Sequence, residues 1–255
     1  MVMFMKNIIS VILLLSSLFS NNLFEEGINE YYKRDIGSEG LYASSVHINK
    51  AINLFEKQLD IKETEELIIY LLKSYYFKGE YATTDSDLKK EIFDKGKILA
   101  EKYILIYPNS AKIRYWYLVN LGSWAEVYGI LKAAREGVAD IMKEQSEIII
   151  DLDSEYKNGG GYFMLGAVHL KSPYIPFLLS WPDKKKALEY LQLAVDTKEA
   201  TLVQKKYLAH AFYKNGSKEK AIEILNEVIN SSPSEDEKIE DLNDINKAKE
   251  LLETF

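Results

Sequence analysis

An all-α fold is predicted by three features of this 255-residue sequence. Through nearly all of the chain after residue 40, apolar residues recur every three or four positions, as in Leu67, Tyr70, Leu71 and Tyr75. This is the spacing of one helix face. Alternating apolar and polar runs, which are typical of half-buried strands, are few. The composition, 47% hydrophobic and 28% charged, is that of an ordinary globular protein.

The segment 1–20 is expected to be a targeting segment that precedes the fold. The uncharged apolar run from Ile8 to Phe19 would span about 18 Å as a helix, which is less than the ~30 Å core of a membrane. That length favours a signal peptide cleaved near Ser20, although bulky Leu18 leaves an uncleaved amino-terminal anchor as the alternative. Both hypotheses make residues 21–255 a periplasmic or secreted domain.

The body of the chain contains an internal repeat. The segment KKALEYLQLAV aligns with EKAIEILNEVI, which places Ala187 opposite Ala221. The interval between these two alanines matches the period of the tetratricopeptide (TPR) unit, about 34 residues for each pair of antiparallel helices. The sequence therefore predicts a TPR-like solenoid of helical hairpins with about four repeats, at about 63–108, 111–152, 156–198 and 199–233.

Closely packed antiparallel helices need a small residue on each helix where they cross. Such residues are found on the first helices at Ser74, Gly122, Gly166 and Ala209, and on the second helices at Gly96, Ala134, Ala187 and Ala221. The wider spacing in repeats one and three indicates insertions of about 10 and 9 residues. A leucine precedes the first-helix small residue in three repeats, and Lys73 takes its place in the first repeat.

Capping helices are predicted at both ends of the array, over residues 41–59 and 235–254. Ser234 and Glu237 have the spacing of a capping box at the start of the second one. The segment 234–255 holds eight acidic residues and three lysines, in a chain of net charge −7. This helix is expected to be the solvated cap that a solenoid needs, and an acidic docking face is the alternative.

Patterns typical of catalytic sites are missing from the sequence. It has no cysteine, its three histidines lie in separate predicted helices, and the glycine-rich Asn158–Gly161 segment lacks the following residues of a phosphate loop. His169 is expected to be a packing residue. The acidic balance argues against a nucleic-acid partner. We therefore predict a binding protein that is not an enzyme and needs no cofactor and no metal.

Aromatic residues are abundant, with 18 Tyr, 10 Phe and 3 Trp. Several are clustered around Trp116, Trp124, Tyr128 and Tyr162 and are candidates for a ligand-binding surface. An apolar, proline-rich insertion over residues 172–182 contains Tyr174, Phe177 and Trp181. Exposed apolar patches usually mark interaction sites. This loop is expected to fold back over the array, to form an oligomer contact, or to rim an apolar pocket.

Four motifs occur in an order that resembles the T-component family of tripartite ATP-independent periplasmic (TRAP) transporters. They are YWYLVNLGSWAEVYGILKAA (115–134), NGGGYFMLGAVHLKSP (158–173), KKALEYLQLAV (185–195) and NKAKELLETF (246–255). The resemblance implies a periplasmic TPR protein that partners the substrate-binding P component. It also implies a homotrimer with a hydrophobic channel in each protomer, which would hold or pass an apolar or carboxylate ligand.

Asn120 and Trp124 match the motif of that family and are the polar and apolar residues expected to line the channel, together with Trp116, Tyr128 and Tyr162. Lipoprotein members carry a cysteine after the signal peptide. This chain has none, so it is not expected to be a lipoprotein. The alternative is a generic cell-envelope TPR scaffold for protein–protein interaction, with a peptide-sized groove and no channel.

Overall fold

A computed structural model describes residues 23–196 and 199–255 as a TPR-like helical solenoid, which confirms the predicted fold class. The predicted targeting segment, residues 1–20, lies outside the described residues. Within the described ranges, none of the helices combines the length and apolar character that a membrane crossing requires.

The helices follow one another through short connections. Residues 23–32 belong to α1, and the later helices are α2 (Ser45–Leu59), α3 (Glu65–Tyr81), α4 (Ser86–Ile106), α5 (Ala111–Tyr128), α6 (Ile130–Arg135), α7 (Val138–Leu152), α8 (Tyr156–Lys171), α9 (Lys184–Val195), α10 (Leu202–Lys214), α11 (Lys218–Ile229) and α12 (Lys238–Glu253). Oxygen atoms of polar side chains accept hydrogen bonds from first-turn N–H groups at six of these starts, namely Ser44, Thr64, Asp85, Ser110, Asp183 and Thr201. These caps satisfy donors that a helix leaves unpaired.

The helices form pairs whose extra residues are placed differently in each repeat. In the first pair the insertion lengthens both helices, since α3 has 17 residues and α4 has 21, against 13 and 12 in α10 and α11. In the third pair the insertion forms the loop between α8 and α9. Gly129 separates α5 from α6, and Gly137 divides the second helix of the second pair into α6 and α7. Their φ angles of 88° and 67° favour glycine.

The small residues predicted for the helix crossings are buried or closely packed in three of the four pairs. A Cβ at Gly166 would be 2.6 Å from the Leu191 side chain and 3.0 Å from its backbone nitrogen. Ser74, Ala187, Ala209 and Ala221 are fully buried, whereas Gly96 packs on Asn120 of α5 and so marks a contact with the next pair. The expected crossing of Gly122 with Ala134 is wrong, because a Cβ at Gly122 would meet only Met142, at 3.7 Å. The break between α6 and α7 leaves Gly122 facing an internal space.

The carboxy-terminal helix is not the solvated cap that its acidic sequence predicts. It packs on α10 and α11, and Ile239, 1% exposed, belongs to the hydrophobic cluster of the amino-terminal helices. The helix begins at Lys238. Ser234 Oγ does accept the Glu237 N–H at 3.1 Å, but Asp241 takes the reciprocal role of the capping box. One end of α12 therefore lies against the start of the array.

Helix α1 is not among the elements that the sequence predicts, and the chain reaches α2 only at Ser45, later than the predicted residue 41. Buried Glu30 joins the two helices because its carboxylate contacts His47 at 2.7 Å and Lys50 at 3.0 Å. These partners lower the pKa of Glu30 to about 2. The contacts between α1 and α2 therefore add helical structure before the four predicted repeats.

Candidate ligand cavity

The inner surface of the solenoid lines a partly open cavity of about 1000 Å³. Its walls come from α1, α3, α5, α6, α7, α8, α10 and α12, whereas α2, α4, α9 and α11 contribute no lining residue. First helices of the hairpins thus face inward and second helices face outward, except in the second pair, whose divided second helix, α6 and α7, also lines the cavity. Because α12 crosses from the last hairpin to the first, it covers the concave surface that an open solenoid would expose.

One end of the cavity carries three cationic side chains, which we call the cationic end: Arg34, Lys73 and Lys157. The Arg34 guanidinium lies 4.7 Å from the centroid of the Tyr31 ring, and Lys73 Nζ lies 5.3 Å from the same centroid. The ring of Trp116 is likewise shared, with Lys73 Nζ at 5.6 Å and Lys157 Nζ at 5.9 Å from its centroid. Two aromatic rings thus bring the three cations together.

Two of these cations have carboxylate partners on the α12 side of the cavity. Arg34 Nε and Nη2 donate to Glu240 Oε1 at 3.0 and 2.9 Å, and Lys157 Nζ lies 3.4 Å from Glu237 Oε1. Burial raises the pKa of Glu240 to about 7. Lys73 has no hydrogen-bond or ion-pair partner in the described part of the chain.

The opposite wall, which we call the apolar end, is formed by aliphatic and methionine side chains. Its residues are Ala139, Met142, Met164, Val168 and Leu179. Gly160, at the start of the regular part of α8, packs on Tyr115 beside the cationic end, and Val168 follows eight residues later. At 1.5 Å per residue, the two ends are about 12 Å apart along α8.

Ion pairs between α12 and the repeats form part of the cavity wall. Lys206 pairs with Asp244, and Lys247 Nζ lies 2.8 Å from Glu80 Oε1. Burial lowers the pKa of Lys206 and brings that of His210 to about 4. These pairs hold α12 in place. Within the described ranges, no group of three acidic or histidine residues could hold a metal ion.

Of the five residues predicted to line a channel, Trp116 lines this cavity. Asn120 is fully buried, and its Nδ2 donates to the carbonyls of Leu72 at 3.1 Å and of Trp116 at 2.8 Å. Tyr162 packs beside the main hydrophobic core but does not line the cavity. The amide of Asn120 therefore joins α5 to α3 and has no access to the cavity.

Trp124 and Tyr128 also lie away from the cavity. The indole N–H of Trp124 and the hydroxyl of Tyr128 each donate to a carboxylate oxygen of Asp94 at 2.6 Å. Sequence alone shows two aromatic residues one helix turn apart, but not the acidic residue on α4 that they share. Their contacts stabilise the packing of α5 on α4.

The 172–182 loop is firmly held at its base. Trp181 packs edge-on against His169, with ring centroids 4.9 Å apart, and its indole N–H donates to Asp140 Oδ1 at 2.6 Å. His169 is buried, as expected for a packing residue, and its Nδ1 accepts the Asp183 N–H at 3.1 Å. Trp181 therefore belongs to the folded-back part of the loop.

The tip of the same loop is exposed. Ile175 and Leu179 pair through two backbone hydrogen bonds of 2.8 Å, and the turn between them holds Phe177 at a φ of 65°. This is an uncommon backbone conformation for a residue other than glycine. The side chain of Phe177 is fully exposed, and Tyr174 and Leu178 are 65% and 58% exposed. A rigid base thus presents three large apolar side chains to solvent.

Lys73 is one of several cavity residues that the sequence did not predict, and in its case one signal was present. In the other repeats the residue before the small first-helix residue is Leu121, Leu165 or Leu208, and all three are buried. Lysine at the same position of the first repeat departs from that pattern. The deviation marks a place where the inner surface carries a charge.

Comparison with known proteins agrees with the fold. The family model described as regulator of microtubule dynamics protein 1-3 matches residues 38–168, just over half of the chain. A thermophilic TPR protein from Thermus thermophilus is similar in structure, with a TM-score of 0.62 and 13% sequence identity over 91% of this chain and 98% of that chain. No curated protein matches the sequence. The family found differs from the TRAP T-component family that the motifs resemble.

Proposed function

The chain belongs to the regulator of microtubule dynamics protein 1-3 family, and from this premise and its TPR-like fold we propose that it is a non-enzymatic binding scaffold. It docks a partner protein through its outer surface and holds a ligand in the cavity beneath α12. The observation that carries the proposal is the cavity itself, since concave sites of this size with a few polar groups are typical of ligand binding.

The loop tip is the proposed docking site for the partner protein. Tyr174, Phe177 and Leu178 form an exposed apolar group on a base fixed by Trp181. Exposed apolar groups of this kind favour protein contacts, and a rigid base reduces the entropy lost on binding. The tip therefore combines apolar surface with preorganisation.

The partner suggested by the sequence motifs is the P component of a TRAP transporter. In that case the chain works in the periplasm after export, and the loop tip or a neighbouring surface supports a trimer. The alternative is a generic cell-envelope TPR scaffold with another protein partner. The fold and the exposed loop support protein interaction in general and favour neither partner over the other.

The name of the matched family refers to regulation of microtubule dynamics. A pelleting assay with polymerised tubulin tests whether this chain shares that property. If the protein is recovered in the microtubule pellet at micromolar concentration, tubulin becomes the proposed partner instead of an envelope protein. A protein that stays in the supernatant would leave the envelope partners as the candidates.

The scaffold is tested by affinity capture of the tagged full-length chain from its native cells, quantified by mass spectrometry. We expect a near-equimolar partner whose recovery drops about tenfold in the Phe177→Ser, Leu178→Ser double variant, because both contact residues lose their apolar surface. Leu105→Ser, at another exposed leucine on α4, is the matched control.

A TRAP P component among the captured proteins would support the transporter hypothesis, and a different envelope protein would support the generic scaffold. Equal recovery by both variants would contradict docking through the loop. Circular dichroism should show the same helicity for wild type and variants, because the substituted side chains are exposed.

A further inference from the structure

Lys73 is a partly buried lysine without a counterion. It lies in the middle of α3 and lines the cavity. Its ammonium group is surrounded by three aromatic rings, with the Tyr70 centroid at 4.9 Å and those of Tyr31 and Trp116 at 5.3 and 5.6 Å. Aromatic faces attract a cation, but they cannot accept the three hydrogen bonds that an ammonium group donates.

The surrounding charges do not balance that of Lys73. Arg34 and Lys157 raise the local positive potential, and Glu240 and Glu237 are already engaged by these two cations. The three cations, including Lys73, and the two ionised carboxylates together carry a net charge of +1. Burial and the neighbouring cations lower the pKa of Lys73 to about 8, which indicates that the protein's own groups stabilise its ammonium poorly.

A structural role does not account for this lysine. Methionine would fill similar space between the rings without the cost of removing a charge from water. Lys171 also lines the cavity without an ion pair, but it is exposed, so water stabilises its charge. Lys73 therefore differs from the other lysines of the wall in having both a desolvated charge and no anion beside it.

The rest of the cavity indicates what kind of anion would fit. From Lys73 the space passes the rings of Trp116 and Tyr76 and continues to the apolar end, where Met142 and Leu179 lie. A ligand that filled it would need a single negative head group and an apolar body about 12 Å long, the rise of the α8 segment between the two ends.

We infer that the cavity binds an amphipathic monocarboxylate, with its carboxylate on Lys73 and its hydrocarbon body towards the apolar end. The inference rests on the proposed ligand-holding function and specifies the ligand class. A carboxylate accepts hydrogen bonds from the ammonium group and supplies the missing negative charge. A small ligand is favoured over the end of a peptide because α12 covers the concave surface.

The test uses three probes with the same alkyl chain, namely dodecanoate, dodecanamide and dodecyltrimethylammonium, titrated calorimetrically into the full chain below their micellar concentrations. We expect dodecanoate to bind most tightly and the cationic probe most weakly. Lys73→Met should lower the dodecanoate affinity by about 10- to 100-fold and leave the amide affinity unchanged. Lys171→Met, which removes the same charge from the exposed part of the wall, is the control.

The outcomes separate the inference from the proposed function. Equal binding of dodecanoate and dodecanamide, unaffected by Lys73→Met, would overturn the carboxylate site and leave the ligand-holding cavity intact. Failure of all three probes to bind would contradict the ligand-holding cavity as well. Dependence on Lys171 instead of Lys73 would overturn the proposed position. Binding of a free-carboxyl Leu-Leu-Trp-Leu peptide, with no binding of dodecanoate, would overturn the small-molecule hypothesis.

Discussion

The protonation of a single side chain controls the charge at the cationic end. Lys73 has a pKa of about 8, so its charge changes within an accessible pH range, whereas an ordinary lysine stays charged to about pH 10.4. The charged groups that act on it are Arg34, next to α1, Lys157 on α8, and Glu237 and Glu240 beside and on α12. A bound carboxylate would favour the ammonium form and raise this pKa.

We expect dodecanoate affinity to fall as the pH rises through about 8, because the neutral amine of Lys73 no longer attracts the carboxylate. Titrations from pH 6.5 to 9.5 check this, and Lys73→Met should show no such step. Glu240, with a pKa of about 7, adds a separate step as it becomes negative. Glu240→Gln should remove only that step. An affinity that stays constant up to pH 9.5 would contradict a lowered pKa at Lys73.

The types of residue at the site could be predicted from sequence more readily than their partners. Aromatic clusters around Trp116 and Trp124 are visible in the chain, but only Trp116 lines the cavity. The buried side chain of Trp124 points away from the cavity and donates a hydrogen bond to Asp94 on α4. Both positions lie on α5, and the rotation of that helix is set by packing on α3 and α4, which local periodicity does not specify.

At the scale of secondary structure, α12 behaves as a closing element held by buried polar contacts. Arg34, 3% exposed, donates to Glu240 and also to the backbone carbonyl of Asp236. Asn243 Nδ2 donates to the carbonyl of Leu41 at 2.9 Å. Three of the acidic residues that suggested a solvated helix, Glu237, Glu240 and Asp244, are therefore partners for cations from distant parts of the chain.

Arg34→Met should lower the free energy of unfolding by about 3 kcal/mol, because it leaves the buried Glu240 carboxylate without its partner. The double variant Arg34→Met, Glu240→Met should lose much less, because no unpaired charge remains. Urea denaturation of wild type, both single variants and the double variant measures the coupling. Additive losses would mean that the pair contributes nothing to the docking of α12.

At the scale of the whole molecule, the first and last helical pairs share a hydrophobic cluster. Ile239 and Leu242 on α12 belong to one hydrophobic cluster with residues of α2 and α3, so the local stability of α12 is linked to that of the first described helices. In an open solenoid each repeat contacts only its neighbours. Here α12, the last helix, also contacts the first described helices.

Ile239→Ala should cost about 2–4 kcal/mol and speed amide hydrogen exchange in α2, at the opposite end of the chain. Exchange measured by mass spectrometry under native conditions checks this. Leu225→Ala, at a fully buried position on α11, should have its largest effect in α10 to α12. If both variants accelerated exchange in α2 equally, the link through Ile239 would be refuted.

The helical class and the repeat period could be predicted from sequence because both are local patterns. The pairing of helices follows from that period, and buried small residues such as Gly166 mark the crossings. The closure by α12 could not be predicted, since it depends on contacts such as Arg34 with Glu240 across 206 positions. No periodic signal in either segment points to the other.

The way α12 returns to the start of the array fixes the number of repeats. Open solenoids can gain or lose a hairpin in evolution, because a new unit needs only matching faces on either side. In this protein one further hairpin would rotate and displace α12, so that Ile239 would no longer meet the amino-terminal cluster. Duplication of α10 and α11 would break the ring, whereas lengthening the exposed tip of the 172–182 loop around Phe177 would leave the ring closed.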